Sequence, residues 1–208
     1  MKRAAIAARV AAPSETPSPM KLELHWQGPY GAGLFPEDAS DYAELLRAGV
    51  YLRVKRYAKG RSVAYVGQSK QVLARIDQHM GAVLNLTHTL RDDDGLVCFE
   101  PAFDARLRAL NDIDRIAALA LAEARRMRFY CAFCEDGFDS DYLGLVEFLL
   151  MQRIADNGEA ENVNQPTVSE FDTEVIVESD YSVLAGEDKK LLRGLIGDAP
   201  LVVEDGID

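Results

Sequence analysis

A chain of 208 residues, 48% of them hydrophobic and 27% charged, has room for one sizeable core, and two independent domains would be cramped. No apolar run approaches the roughly 18 residues needed to cross a bilayer, so no membrane partner is expected. The net charge of -11, taken as a total, argues against nucleic acid as a partner, because phosphate contacts draw on Lys and Arg.

The distribution of charge reverses that reading. Residues 169–208 hold 11 acids and 3 bases, whereas the run from Leu45 to Ile76 holds eight bases and no acid. A local basic surface is compatible with an acidic total. The three cysteines, Cys98, Cys131 and Cys134, are too few and odd in number for a disulfide framework and fit a reducing cytoplasm. Cys131 and Cys134 have a C-x-x-C spacing, but they lie in a strand-like run that puts positions three apart on opposite faces, so two buried thiols are expected rather than a shared metal.

In chain order, residues 1–19 read as a disordered leader closed by a Pro/Ser/Thr cluster, with Met20 as a plausible alternative start. Gly28, Pro29, Gly31 and Gly33 mark turns, and Pro36 to Arg47 reads as a short helix opened by acids. Gly49 to Arg56 alternates, with Val50, Leu52 and Val54 on one face and Tyr51, Arg53 and Lys55 on the other, which predicts a half-buried strand with a wet basic side. A Lys59-Gly60 turn and a second β-rich run, Ser62 to Gly67, complete a hairpin. Ser69 is placed to cap a helix from Lys70 to about Met80, with Val72, Leu73, Ile76 and Met80 as its apolar stripe and Gln71, Arg75 and His79 stacked on the adjacent polar face.

Residues 81–111 are less regular. Ile113 to Met127 has a helical pattern, Arg128 to Cys134 reads as a third strand, and Tyr142 to Ile154 as a strongly apolar helix. A polar loop, a strand-like Glu174 to Val177, a short helix from Asp188 to Ile196 and an acidic tail follow.

Within the hairpin and its helix stand Gly49-Val50-Tyr51, then Tyr65-Val66-Gly67, then Ser69, Arg75 and His79. In order and spacing these residues resemble the defining motif of the GIY-YIG nucleases, tightly over about 31 residues and loosely, through the third strand and Glu147, over about 115. The resemblance implies a metal-dependent phosphodiester hydrolase that leaves a 5′-phosphate. Tyr51 would be the water-activating base or its hydrogen-bond partner. A free phenol titrates near 10, so it would rely on neighbouring cations, which Arg75 and His79 could supply while also meeting the scissile phosphate. Tyr65 joins the same catalytic set. Taken alone, each tyrosine is equally well a strand residue.

Glu147 stands out apart from any family. It is the only charged side chain between Asp141 and Arg153 in a helix apolar nearly all round, and a carboxylate there needs a partner or a metal. A structural ion pair, for instance with Arg75, is the competing reading. By resemblance Glu147 is the ligand of Mg²⁺ or Mn²⁺, which a single carboxylate with waters and phosphate oxygens suits. His88, thirteen residues after Arg75, falls where some homing-type members carry a second histidine, a surface or capping histidine being the equal alternative; Asn162 and Asn164 both fall where the family places an asparagine, with Asn164 favoured. The roughly 40 residues between His88 and the third strand exceed the compact family core.

These readings combine into an α/β (α+β type) fold, with a small central three-stranded, mostly antiparallel sheet flanked by helices. The nuclease-like domain spans 20–168, with its core motif at 49–79, a helical insertion at about 89–127, and the third strand and metal helix at 128–156. An acidic extension occupies 169–208. The expected function is a cytoplasmic DNA endonuclease, with Arg53, Lys55, Lys59, Arg61, Ser69, Lys70, His88 and Asn164 holding the nucleic acid. Nothing in the sequence discriminates against RNA. A non-catalytic scaffold that binds nucleic acid or protein is the alternative, and a third reading makes Glu170 to Asp208 a surface for a basic partner, against the plainer reading of a solvated tail.

Overall fold

The computed structural model describes residues 18–38, 42–138, 140–157 and 174–203. In chain order the elements are β1 (Met20–Tyr30), β2 (Gly49–Arg56), β3 (Ser62–Ser69), α1 (Val72–Leu84), β4 (Leu90–Arg91), β5 (Val97–Phe99), α2 (Phe103–Ala109), α3 (Ile113–Arg126), β6 (Met127–Phe133), α4 (Ser140–Asp156), β7 (Val175–Asp180), α5 (Gly186–Ile196) and β8 (Leu201–Val203). Six strands form one mixed sheet in the order β3-β2-β6-β1-β7-β8, antiparallel throughout except for the parallel pairing of β1 with β7. Strands β4 and β5 make a separate small ribbon.

The class is therefore α/β in the broad sense, of α+β type, but the expected three-stranded sheet is corrected. Strands β3, β2 and β6 are only half of a six-stranded sheet. Strand β1 supplies the missing connection: Leu24 and Trp26 point into one core with no exposed surface, and the indole N–H of Trp26 donates to Ser179 Oγ at 3.1 Å. The region expected as a solvated acidic extension contributes β7, α5 and β8. Its acids take exposed positions such as Glu178 and Glu187, while Val175, Val177, Leu192, Leu195, Ile196, Leu201 and Val203 are buried. The strand-like Glu174 to Val177 and the short helix from Asp188 to Ile196 are present as β7 and α5, with apolar residues at steps of two and of three to four that pack on the sheet rather than stand in solvent.

The sheet is covered on both faces. Val50, Leu52, Val54, Ala64 and Val66 pack with α4 and α5 on one side, whereas Tyr51, Met127, Phe129 and Cys131 pack with α1 and α3 on the other. Cys131 and Cys134 thus belong to opposite cores, as the strand geometry requires, and both are free thiols. The helix expected over Pro36 to Arg47 is, in its described part, a single 3-10 turn at Glu44–Leu46 whose Leu45 is buried. Arg47, just after it, hydrogen bonds the backbone oxygens of Cys134 and Glu135. No helix is long and apolar enough to cross a membrane among the described residues.

Candidate active site

The β2-β3 hairpin sets the geometry. Its register places Tyr51 opposite Gly67 and Arg53 opposite Tyr65. A Cβ at Gly67 would land on the phenol oxygen and ring of Tyr51, so glycine at the end of the second triplet is what lets that ring lie across β3. Gly49 has a similar reason: a Cβ there would meet the carbonyl oxygen of Ala132 at 2.7 Å and the ring of Phe133 at 2.9 Å. Both glycines of the motif are close-approach positions.

Helix α1 brings Arg75 and His79 onto this hairpin. The Nε–H of Arg75 donates to Tyr51 Oη at 3.2 Å, and His79 Nε2 lies 2.8 Å from the same oxygen. Tyr65, half-buried, stands edge-on to His79 with ring centroids 5.5 Å apart, and it also receives a hydrogen bond from Arg75. At the head of α1, Ser69 Oγ accepts the N–H of Gln71 at 3.1 Å, although the helix proper begins only at Val72.

Glu147 reaches this group from the opposite face of the sheet. Helices α1 and α4 both touch β3, the last strand on that side, and Glu147 of α4 is hydrogen bonded to the side chain and backbone of Gln68 next to Gly67. Burial raises the Glu147 carboxyl above its ordinary range, and Gln68 and the Arg75 guanidinium draw it back down. Tyr51, Tyr65, Arg75 and His79 thus form one cluster, and Glu147 is linked to it through Gln68 and the field of Arg75. Gln68 was not singled out in the sequence, where a glutamine at a strand end carries no signal of its own.

The expectation of a wet basic face on β2 is corrected. Tyr51 is fully enclosed, and Arg53 and Lys55 are 5% and 3% exposed. Helix α3 covers them and contributes Glu123, itself with no exposed surface. The Glu123 carboxylate lies 3.5 Å from Lys55 Nζ, accepts the hydroxyl of Tyr57 on both oxygens at 2.9 and 3.0 Å, and accepts the backbone N–H of Arg91 at 2.9 Å. Burial pulls the Lys55 ammonium down to about 8 against the opposing pull of Glu123. Arg53 stacks over the Tyr65 ring at 4.9 Å, and its Nη1 sits 3.0 Å from His79 Nδ1 and 3.0 Å from His88 Nε2. His88 is therefore part of the cluster rather than a surface contact. Both imidazoles are pushed down to about 3, first by burial and then by Arg53, so they are neutral near pH 7.

The remaining basic candidates divide by position. Lys70 is exposed beside Ser69, close to the cluster. Lys59 and Arg61 sit at the hairpin tip, about 17 Å along the strand from Tyr51 at 3.3–3.4 Å per residue. There Lys59 is paired with Asp94 at 2.7 Å. Asn164 lies outside the described residues, as do residues 1–17. His25, which carried no expectation, meets Asp180 at 3.4 Å between β1 and β7.

Among the described residues no three His, Cys, Asp or Glu side chains converge on a metal cage. The donor set at the hairpin end is one half-buried carboxylate with an amide beside it. That chemistry fits a hard divalent cation that keeps most of its waters, and it does not fit zinc. A groove of about 640 Å³ elsewhere, lined by Val97, Cys98, Arg108 and Arg115 among others, contains none of the site residues.

Comparison of the chain with protein-family models, with curated proteins and with solved structures finds no match.

Proposed function

We propose that this chain is a cytoplasmic, metal-dependent endonuclease of GIY-YIG type that hydrolyses phosphodiester bonds in DNA. The observation that carries the proposal is the meeting at Tyr51 Oη of Arg75 and His79 from α1, with Glu147 of α4 held by Gln68 at the same end of the hairpin. Two tyrosines, an arginine, a histidine and a glutamate drawn from four elements toward the same part of the hairpin are a constellation of the kind an active site uses, which supports this reading.

In this reading Glu147 and Gln68 would hold Mg²⁺ or Mn²⁺, which when bound would neutralise charge developing on the phosphoryl oxygens. Arg75 is only part-buried and contacts Gln78 Oε1 at 2.7 Å, so it can turn toward a phosphate. Tyr51 is fully buried, so in this reading Arg75 would turn from it toward the substrate to give its oxygen access to water. Until then the phenol holds the guanidinium in place. Tyr65 and Lys70 flank the approach.

A plasmid-nicking assay tests the proposal. Purified protein with Mg²⁺ is expected to convert supercoiled plasmid to nicked circles, and Arg75→Ala and Glu147→Ala to lower the rate at least about 100-fold. A parent that never nicks in Mg²⁺ or Mn²⁺, or variants that nick as fast as the parent, would overturn it. The burial of Arg53 and Lys55 and the pairing of Lys59 thin the cationic surface, which favours a second reading, a binding module without turnover. Labelled DNA bound equally by parent and Glu147→Ala, with no cleavage in any divalent metal, would select that reading.

A further inference from the structure

Tyr51, His79, Arg53 and His88 form an unbroken hydrogen-bonded chain, and Arg53 can only donate to its neighbours. We infer that Arg53 is a positioning residue of this site: its guanidinium locks His79 as the Nε2–H tautomer and so makes the Tyr51 oxygen the acceptor of two N–H groups. The structural part of this inference stands alone, and its catalytic consequence rests on the nuclease reading.

A guanidinium has five N–H donors, no acceptor, and does not deprotonate in proteins. The Nη1 of Arg53 has two hydrogens and two neighbours in reach, His79 Nδ1 and His88 Nε2, each at 3.0 Å. Both ring nitrogens must therefore be bare acceptors. An imidazole bare at one nitrogen is neutral and keeps its hydrogen on the other, so His79 is protonated at Nε2 and His88 at Nδ1.

The consequence falls on Tyr51. His79 Nε2 lies 2.8 Å from its oxygen and must donate to it, while Arg75 Nε–H donates at 3.2 Å. Both lone pairs of the phenol are then occupied, and its own hydrogen points away from both donors. His79 is thus not the base that takes the Tyr51 proton. It is a donor to that oxygen, as Arg75 is in the structure, and the Arg75 hydrogen bond opposes the rise that burial imposes on the Tyr51 hydroxyl. Arg53 is built to hold this state: it is 5% exposed, it rests on the Tyr65 ring at 4.9 Å, and it stands two residues from Tyr51 on the same face of β2. A flexible cation in water would not impose one tautomer, but a fork fixed by packing does.

Long-range ¹H–¹⁵N correlation spectra of histidine-labelled protein near pH 7 test this directly, because the chain has only three histidines. The expected result is His79 protonated at Nε2 alone and His88 at Nδ1 alone. His79 protonated at Nδ1, at both nitrogens, or as a mixture of tautomers in the folded parent would overturn the inference. In Arg53→Leu the single His79 tautomer is expected to be lost, and its survival there would also overturn it. Should Arg53→Leu fail to fold, the parent spectrum still decides. Under the nuclease reading Arg53→Leu lowers kcat about 10- to 100-fold with KM unchanged, as loss of an orienting partner does. The tautomers as stated in a protein that never cleaves DNA would remove the nuclease reading and leave Arg53 as assigned. The reverse tautomer in an active enzyme would do the opposite.

Discussion

Gly67 lies against the phenol of Tyr51 so closely that the two residues form one steric unit: the ring occupies the space that any side chain at 67 would need. Gly67→Ala is expected to destabilise the protein by about 1–3 kcal/mol, the usual cost of forcing extra volume into a packed site. Under the nuclease proposal, plasmid nicking should fall with it. The clash explanation has its own control. Gly67→Ala combined with Tyr51→Leu should regain part of the stability lost by Gly67→Ala alone, read from urea unfolding; strict additivity would refute the contact as the cause.

The Lys55–Glu123 pair is enclosed, and breaking it from one side leaves an uncompensated charge. Glu123→Leu is expected to cost about 3–5 kcal/mol, because Lys55 then has no carboxylate and Tyr57 and the Arg91 N–H lose their acceptor. Adding Lys55→Met should restore much of that loss. A double variant no more stable than Glu123→Leu would show that the ion pair is not what the single change breaks.

Stability should fall on mild acidification. His79 and His88 have folded values near 3 against an ordinary 6.5, held down by burial, Arg53, Arg75 and Lys55. Below about 6.5 the unfolded chain binds more protons than the folded one, so this contribution is complete above that pH and is lost as pH drops toward 3. Two such groups amount to on the order of 2–4 kcal/mol between pH 7 and pH 5. Urea midpoints across that window should drop in the parent and flatten in His79→Gln combined with His88→Gln. An equally steep fall in that variant would assign the effect to other groups.

The hairpin and its helix were legible because each used a strong periodic signal. Strict alternation from Gly49 to Arg56 located the strand, and the stripe Val72, Leu73, Ile76, Met80 located α1, which in turn delivers Arg75 and His79 to Tyr51. Glu147 was visible as a charge in an apolar helix. Alternation, however, distinguishes two faces without saying which one is wet. Arg53 and Lys55 were assigned to water because they are charged, and the helix that covers them, with its inward-pointing Glu123, lies some seventy residues further along the chain. Strand β1 had the alternation Leu22, Leu24, Trp26, but Gly28 and Pro29, which lie within it, read as turns and obscured it. The C-terminal strand and helix were legible from the same periodicities, whereas their acids masked the fact that they pack on the sheet, and the three-residue β8 is too short to carry a pattern.

The placement of β1 also bears on how the protein can be divided. Its backbone is zipped on one flank to β6 and on the other to β7, so residues Met20 to Tyr30 rivet the half of the molecule that holds Tyr51 to the half made by the last thirty described residues. A fragment cut to Gly49–Asp156 would keep every catalytic candidate and yet present β6 with a bare row of amides and carbonyls. Such a ribbon recruits a neighbouring chain, so this fragment would be expected to self-associate rather than stand alone.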